Sequence, residues 1–178
     1  MNRPWVRIQK MARRILTELK IQGPPVPVRE IARKHRARIV RVSGNDVDID
    51  GFLYRNKNEV VIGINQDQAS VRQRFTIAHE LGHLLLHENN HIRVDRGFRV
   101  RLRDHTSGEG ADREEMEANR FAAELLMPID FLRSDLKNQE FDLADDNQLR
   151  TLAKRYGVST QALAIRLNGL GYTPTVEI

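Results

Sequence analysis

The segment RFTIAHELGHLLLH, residues 74–87, contains the pattern H-E-x-x-H from His79 to His83. Its apolar residues recur at helical spacing, which predicts a buried helix. Residues four apart share one face of a helix, so the two histidines can bind a common metal ion. Glu80 then lies beside that ion, where it can take a proton from a water molecule that the ion activates. The pattern predicts the chemistry of a zinc peptidase.

A chance origin of this pattern is disfavoured by its surroundings. Ordinary residue frequencies give H-E-x-x-H in a chain this long on the order of one percent of the time. The neighbouring leucines make a chance origin less plausible still, because burying an imidazole or carboxylate without a partner costs free energy. Gly82 costs roughly 1 kcal/mol relative to alanine within a helix, which predicts that a neighbouring element approaches it closely.

Composition places the chain among soluble globular proteins. It has 178 residues, of which 40% are hydrophobic and 30% are charged, and no apolar run is long enough to cross a bilayer. We expect no membrane association and, because no secretory signal is recognisable, a cytoplasmic location. The chain has no cysteine, so a zinc ion must be held by histidine and carboxylate groups.

The chain is basic, with a formal net charge of +5 and a pI of about 9.9. This charge makes contact with nucleic acid or an acidic partner electrostatically easy. A diffuse arginine-rich surface explains the same charge, so charge alone does not identify a partner.

The remaining pattern predicts an α+β fold with a small antiparallel sheet packed on the motif helix. Amphipathic or short helices are expected at residues 5–21 and 29–35, and β-like runs at 38–42, 50–55 and 58–64. Residues 56–58 form a hairpin turn between the last two runs. A long loop follows at residues 88–110 with a short strand at 98–102, and then an acidic helix at 112–127 that ends at Pro128.

The last part of the chain has the spacing of a helix-turn-helix. One helix ends at Gly157, and Ser159 caps a second that bears Leu163 and Leu167. We therefore expect a metallopeptidase domain at residues 1–130 and a C-terminal helical region at 131–178.

Two histidines do not complete a catalytic zinc site, which takes three protein ligands and leaves one position for water. The acidic helix offers Glu114, Glu115 and Glu117 as candidates for the third ligand. His87 and His91 continue the four-residue series from His83, but one straight helix rarely wraps three ligands around one ion. We interpret them as residues at the helix end.

Two segments together, residues 72–87 and 115–128, resemble the ImmA/IrrE family of metallo-endopeptidases. The resemblance implies a zincin-like fold, with zinc held by His79, His83 and a glutamate of the second helix. It implies that Glu80 is the general base. It also implies a protein substrate, a helix-turn-helix repressor of the Xre type, whose cleavage would switch on stress or mobile-element genes.

The resemblance favours Glu115 as the third ligand, with Asn119 four residues later bracing a ligating histidine. Glu117 lies roughly 200° around the helix from Glu115 and is expected to form a surface ion pair. Glu114 is expected near the start of the helix, where its charge suits the helix dipole.

We expect an extended substrate to pair with the edge of the sheet, along the residues Val60, Val61, Ile62, Gly63 and Ile64. An oxyanion-stabilising group is expected from His105 or a tyrosine. Zinc is the expected metal, with Mn2+ as an alternative. The rival interpretation is a DNA-binding or repressor-binding regulator with a non-catalytic or structural zinc site. Direct DNA binding is not favoured, because the second tail helix offers few long base-reading side chains besides Gln161.

Overall fold

The computed structural model describes residues 3–43, 49–87, 92–95, 109–137 and 141–172. These residues form helices and strands in the order α1 (Arg3–Glu18), α2 (Val28–Lys34), β1 (Ala37–Val42), β2 (Gly51–Arg55), β3 (Val60–Asn65), α3 (Ser70–Leu86), β4 (Ile92–Asp95), α4 (Glu109–Leu126), α5 (Ile129–Leu136), α6 (Asp146–Tyr156) and α7 (Thr160–Gly169). The expected α+β class is confirmed.

The sheet is mixed, with strand order β1-β3-β2-β4. β2 and β3 form the expected antiparallel hairpin, in which the Asn56 side-chain oxygen accepts from the backbone N–H groups of Asn58 and Glu59, each at 2.8 Å. β1 runs parallel to β3, so the expectation of an antiparallel sheet is wrong for this pair. Alternating apolar residues identify a strand, but they carry no information on its direction.

Strand β3 is central, which overturns the expected substrate-binding edge. It is paired with β1 on one side and with β2 on the other. The backbone groups of Val60, Val61, Ile62, Gly63 and Ile64 therefore serve the sheet, and an extended peptide cannot add to them. The edges of the described sheet are β1 and β4.

Strand β4 lies where a loop was expected and pairs antiparallel with β2. Its four residues are too few for a reliable periodicity signal. The strand expected at residues 98–102 lies outside the described residues, as do His91 and His105.

Helix α3 lies at the centre of the molecule. It packs against β2 and β3 on one side and against α4 on another, while α1 packs on α4. Ile77, Ala78 and Leu81 of α3 are fully buried, as are Phe121 and Leu125 of α4. Burying a side chain of leucine or phenylalanine size stabilises the fold by about 1.5–3 kcal/mol each, so this helix pair contributes much of the core.

The C-terminal helices have the expected form. Gly157 ends α6 in the left-handed conformation, with φ of 63°, and the Ser159 hydroxyl accepts from the N–H of Ala162 at the start of α7. Leu152 and Leu163 join the same buried cluster as the residues of α1 to α4. A division between residues 130 and 131 stays a prediction, but described residues on both sides build one hydrophobic core.

Two arginines connect these tail helices to the central helices. Arg74 of α3 donates to the carbonyl of Gly157 at 3.0 Å and to that of Val26 at 2.9 Å. Arg166 of α7 is buried and forms a bidentate pair with Glu124 of α4, at 2.9 and 2.5 Å. The C-terminal helices α6 and α7 therefore contact the central helices at two separate places, one on α3 and one on α4. No helix among the described residues combines the length and apolarity required to cross a membrane.

Candidate metal centre

Three side chains from two helices converge on one point. Nε2 of His79 and Nε2 of His83 lie 2.9 Å apart, as their four-residue spacing on α3 allows. The two carboxylate oxygens of Glu115, from α4, lie 3.5 Å from these nitrogens, one oxygen to each. Both histidines are almost fully buried, and the Glu115 side chain is 13% exposed. The structure thus brings together the three residues that the sequence analysis proposed as ligands.

The small residues of the two helices allow this convergence. A Cβ atom on Gly82 would lie 3.0 Å from the Cα of Ala118, which is tighter than ordinary side-chain packing. Helices α3 and α4 can approach this closely only because Gly82 lacks a side chain. The expectation that Gly82 admits a close neighbour is confirmed, and that neighbour is α4.

Asn119 supports His79 from one turn further along α4. Its side-chain oxygen lies 3.0 Å from Nδ1 of His79, so the imidazole donates from Nδ1 and keeps its Nε2 lone pair for the point of convergence. Asn119 occupies the position expected of a bracing residue, and its role there remains part of our proposal.

The geometry of the group fits a divalent metal ion. Tetrahedral ligands at the usual Zn–N distance lie about 3.3 Å from one another, close to the observed separations of 2.9 and 3.5 Å. Two imidazole lone pairs and a carboxylate that face each other repel unless a cation lies between them. His79, His83 and Glu115 can therefore hold such an ion, and the donor set of two nitrogens and one oxygen suits zinc.

Glu80 lies next to this group and is fully buried. It packs against the start of β2, where a Cβ atom on Gly51 would lie 3.2 Å from Glu80 Oε1 and 3.0 Å from the carbonyl oxygen of Gly63. Asp50 fixes the same end of β2 through a bidentate ion pair with Arg72, at 2.7 and 2.8 Å. Strand β2 therefore forms a wall against which the carboxylate of Glu80 lies.

The sequence analysis missed a contact between His87 and Glu117. We expected Glu117 to form only a surface pair, and its ion pair with Arg113, at 3.0 Å, is present. Its other oxygen, however, lies 3.3 Å from Nε2 of His87, and the side chain is only 17% exposed. Burial alone would raise the pKa of Glu117, but hydrogen bonds from Arg113 and His87 outweigh it and hold this pKa below its usual value. The four-residue spacing of the histidines at 79, 83 and 87 could have indicated that His87 lies on the same helix face as the two motif histidines.

Glu114 is not at the start of its helix, because α4 begins at Glu109. The expectation that it faces the helix dipole is therefore wrong. Its carboxylate lies close to His83 and His87, with the three donor atoms within 4.8 Å of one another. Two groups among the described residues thus share His83, and only the first combines both motif histidines.

Residues 32–168 match the family model described as the IrrE N-terminal-like domain, a peptidase family. The chain belongs to this family. Membership in this peptidase family and the buried His-His-Glu group are together the features of a metallopeptidase.

Two further similarities accompany this membership. The chain is 31% identical over 142 residues to the uncharacterized immunity region protein 2 of Bacillus phage phi105, covering 80% of this chain and 81% of that protein. Its fold resembles that of a Mycobacterium tuberculosis transcriptional regulator, with a TM-score of 0.60 and 21% identity. That match covers 91% of this chain but only 46% of the regulator, so the chain spans less than half of that protein.

Proposed function

We propose that this IrrE N-terminal-like protein is a zinc-dependent endopeptidase that cleaves a regulatory protein, with an Xre-type helix-turn-helix repressor as the substrate. The convergence of His79, His83 and Glu115 beside the buried Glu80 carries the proposal. Membership in a peptidase family supports hydrolysis as the reaction. Among the residues that the structure describes, this group has two imidazoles, one carboxylate and no fourth protein donor, which is the donor set of a catalytic zinc site.

The residues of the site have different roles in the proposed hydrolysis of a peptide bond. A bound zinc ion would supply Lewis acidity, which lowers the pKa of a water molecule towards roughly 7 and polarises the scissile carbonyl. Glu80 accepts the proton of the attacking water and then passes it to the leaving amine. The wall formed by Gly51 restricts the carboxylate to one side, so that it stays aimed at the reacting water.

The edge strand β4 replaces β3 as the proposed substrate-binding strand. β4 pairs with β2, and Gly51 of β2 stands opposite Asp95 of β4. Because Gly51 contacts Glu80, this edge of the sheet is the one beside the reactive group. An extended substrate that adds to β4 by backbone pairing would pass close to the metal centre.

Two observations support a regulatory substrate, and we propose that the protein meets it in the cytoplasm. The phage relative belongs by name to an immunity region, and the solved structure with a similar fold is a transcriptional regulator. A peptidase of this family that acts on a repressor would derepress stress or mobile-element genes.

The rival function is a DNA-binding or repressor-binding regulator with a non-catalytic zinc site. The arrangement of α6, Gly157 and α7 favours it. Against it, Arg166 of α7 is turned inward onto Glu124 and is not available to DNA phosphates. Tight, sequence-specific DNA binding by the purified protein at physiological salt would support this rival.

Cleavage of the repressor encoded beside its gene, with and without added zinc, tests the proposal. Glu80→Gln should keep the metal and lower the cleavage rate by about 100-fold or more, because the amide cannot accept the proton. Glu18→Gln, in an exposed pair with Arg14, is the matched control and should cleave normally. Cleavage by Glu80→Gln at the wild-type rate would refute the role of Glu80. Full biological output from Glu80→Gln would instead indicate a binding module.

A further inference from the structure

His83 has a second ring nitrogen that faces away from the metal centre. Its Nδ1 lies 3.1 Å from Nδ1 of His87, one turn later in the chain. Nε2 of His87 in turn lies 3.3 Å from Oε2 of Glu117, and Nε of Arg113 donates to Oε1 of Glu117 at 3.0 Å. A continuous series of polar contacts therefore leads from His83 across to α4 and ends at a surface arginine.

The donor and acceptor capacities of these groups fix the direction of the series. A histidine that binds an ion through Nε2 carries its proton on Nδ1 and donates from there. Nδ1 of His87 must then accept, which places the proton of His87 on Nε2. That N–H donates to Glu117, whose second oxygen accepts from Arg113. Every contact is satisfied by one proton arrangement, and in it His83 presents a lone pair at Nε2.

His87 and Glu117 are held in place by contacts of their own. Arg55 of β2 donates to the backbone carbonyl of His87 at 2.8 Å and so closes the C-terminal end of α3. The His87 side chain is only 8% exposed. The imidazole therefore has a fixed backbone and an enclosed side chain, which is what an orienting group requires.

We propose that His87 and Glu117 are positioning residues that orient the ring of His83 and fix its proton on Nδ1. This inference rests on the proposed metal site. It gives each ligating histidine a support on α4: Asn119 holds His79 directly, and Glu117 holds His83 through His87. Helix α4 thus provides the third ligand and both supports, which makes its placement decisive for the site.

The competing assignment makes His87 a ligand itself, in the group with His83 and Glu114. The two assignments differ in whether the zinc ion stays bound when His87 is replaced and in whether Glu114 affects zinc binding. A positioning residue lowers the affinity for an ion that remains bound, by about 10- to 100-fold, whereas loss of a ligand removes the ion or its site.

The experiment measures zinc content and zinc affinity, by competition with a chelator, in purified full-length variants. His87→Leu should keep one zinc per chain and bind it about 10- to 100-fold more weakly. Glu117→Leu should give a loss of similar size, because Nε2–H of His87 then lacks its acceptor. His87→Gln should recover most of the affinity, since its amide can accept from His83 and donate to Glu117. His35→Leu, at a half-buried histidine after α2, is the matched control and should bind zinc normally.

Nitrogen NMR of the zinc-loaded wild type provides a second readout. His83 should carry its proton on Nδ1, and His87 should carry its proton on Nε2. Unchanged affinity in His87→Leu would overturn this inference alone. If His87→Leu lost its zinc ion, as His83→Ala is expected to, His87 would be a ligand. The same conclusion would follow if Glu114→Gln lowered the zinc affinity as much as His87→Leu does. A wild-type protein that binds no divalent ion would overturn the proposed function itself.

Discussion

Gly82 in α3 and Ala118 in α4 meet backbone to backbone. A Cβ atom on Gly82 would lie 3.0 Å from the Cα of Ala118 and 3.2 Å from its carbonyl oxygen. Gly82 immediately precedes His83, and Ala118 immediately precedes Asn119. This close contact between the two helices therefore lies directly beside the ligand His83 of α3 and the proposed support Asn119 of α4.

Gly82→Ala should weaken metal binding more than it changes stability. Overpacking at this contact costs about 1–3 kcal/mol, and the better helix propensity of alanine offsets about 1 kcal/mol of it. The helices must separate, however, which displaces Glu115 from the two histidines. Gly169→Ala at the end of α7 is the control, because nothing lies within 4 Å of its added Cβ. Zinc affinity equal to wild type in Gly82→Ala would show that the contact does not set the ligand geometry.

Glu115→Ala should lose zinc, and Glu117→Ala should only weaken its binding. Glu115 directs both oxygens at the motif histidines, at 3.5 Å each, whereas Glu117 reaches only His87. We therefore expect the zinc affinity of Glu117→Ala to stay within about 100-fold of the wild-type value and that of Glu115→Ala to fall well below this range. Calorimetric titration of the two metal-free variants with zinc measures the difference. The reverse order would mean that the third ligand is Glu117.

Arg166→Ala should destabilise the protein by about 3 kcal/mol or more. It removes a buried partner from Glu124, whose carboxylate then keeps, among the residues with a described position, the ion pair with Arg120 at 2.7 Å. Arg150→Ala removes an arginine from an exposed pair on α6 and should change stability by less than about 0.5 kcal/mol. Urea unfolding of both variants measures the two free energies. Equal changes in the free energy of unfolding would show that the pair between Arg166 and Glu124 does not stabilise the packing of α7 on α4.

The stability of the wild type should fall above pH 10 in a manner that depends on Tyr156. Burial, together with the hydrogen bond and charge of Asp135, raises the pKa of Tyr156 well above its ordinary value of 10.0. The unfolded chain can then ionise this tyrosine at pH values where the folded chain cannot. Its contribution is therefore complete below pH 10 and is lost as the pH rises, by up to about 1.4 kcal/mol for each pH unit.

Tyr156→Phe tests this dependence. The variant should be less stable than wild type at neutral pH, because the hydrogen bond to Asp135 is lost, and the difference should shrink above pH 10. Thermal unfolding at several pH values measures it. A difference that stays constant up to pH 11 would show that Tyr156 ionises as readily in the folded protein as in the unfolded chain.

The parts of the site that lie within one helix were predictable from the sequence. The spacing of His79 and His83 and the position of Glu80 follow from helix geometry alone. The place of Glu115 required the packing of a second helix, which the small residues Gly82 and Ala118 indicated. The fold class and the tail helices were predictable for the same reason, because their signals are local caps and periodicity.

The parts that depend on how distant segments meet were not predictable. The hairpin of β2 and β3 has a local turn, but the parallel pairing of β1 with β3 has no local signature, so the central position of β3 was missed. The contact between His87 and Glu117 likewise depends on how far α3 extends along α4. Helical phase alone placed Glu117 away from the site, because phase takes no account of a partner one turn further along the neighbouring helix.

The hydrogen bonds of Arg74 bear on which substitutions natural selection can accept. Its guanidinium binds the backbone carbonyls of Val26 and Gly157, and a carbonyl is present whatever side chain its residue bears. A change of side chain at Val26 would therefore leave this hydrogen bond intact, and Val26 is constrained instead by its burial in the hydrophobic core. Gly157 is the exception, because it has positive φ and a Cβ there would lie 2.8 Å from Nε of Arg74. The hydrogen bonds themselves should thus restrict substitution only at Arg74 and Gly157.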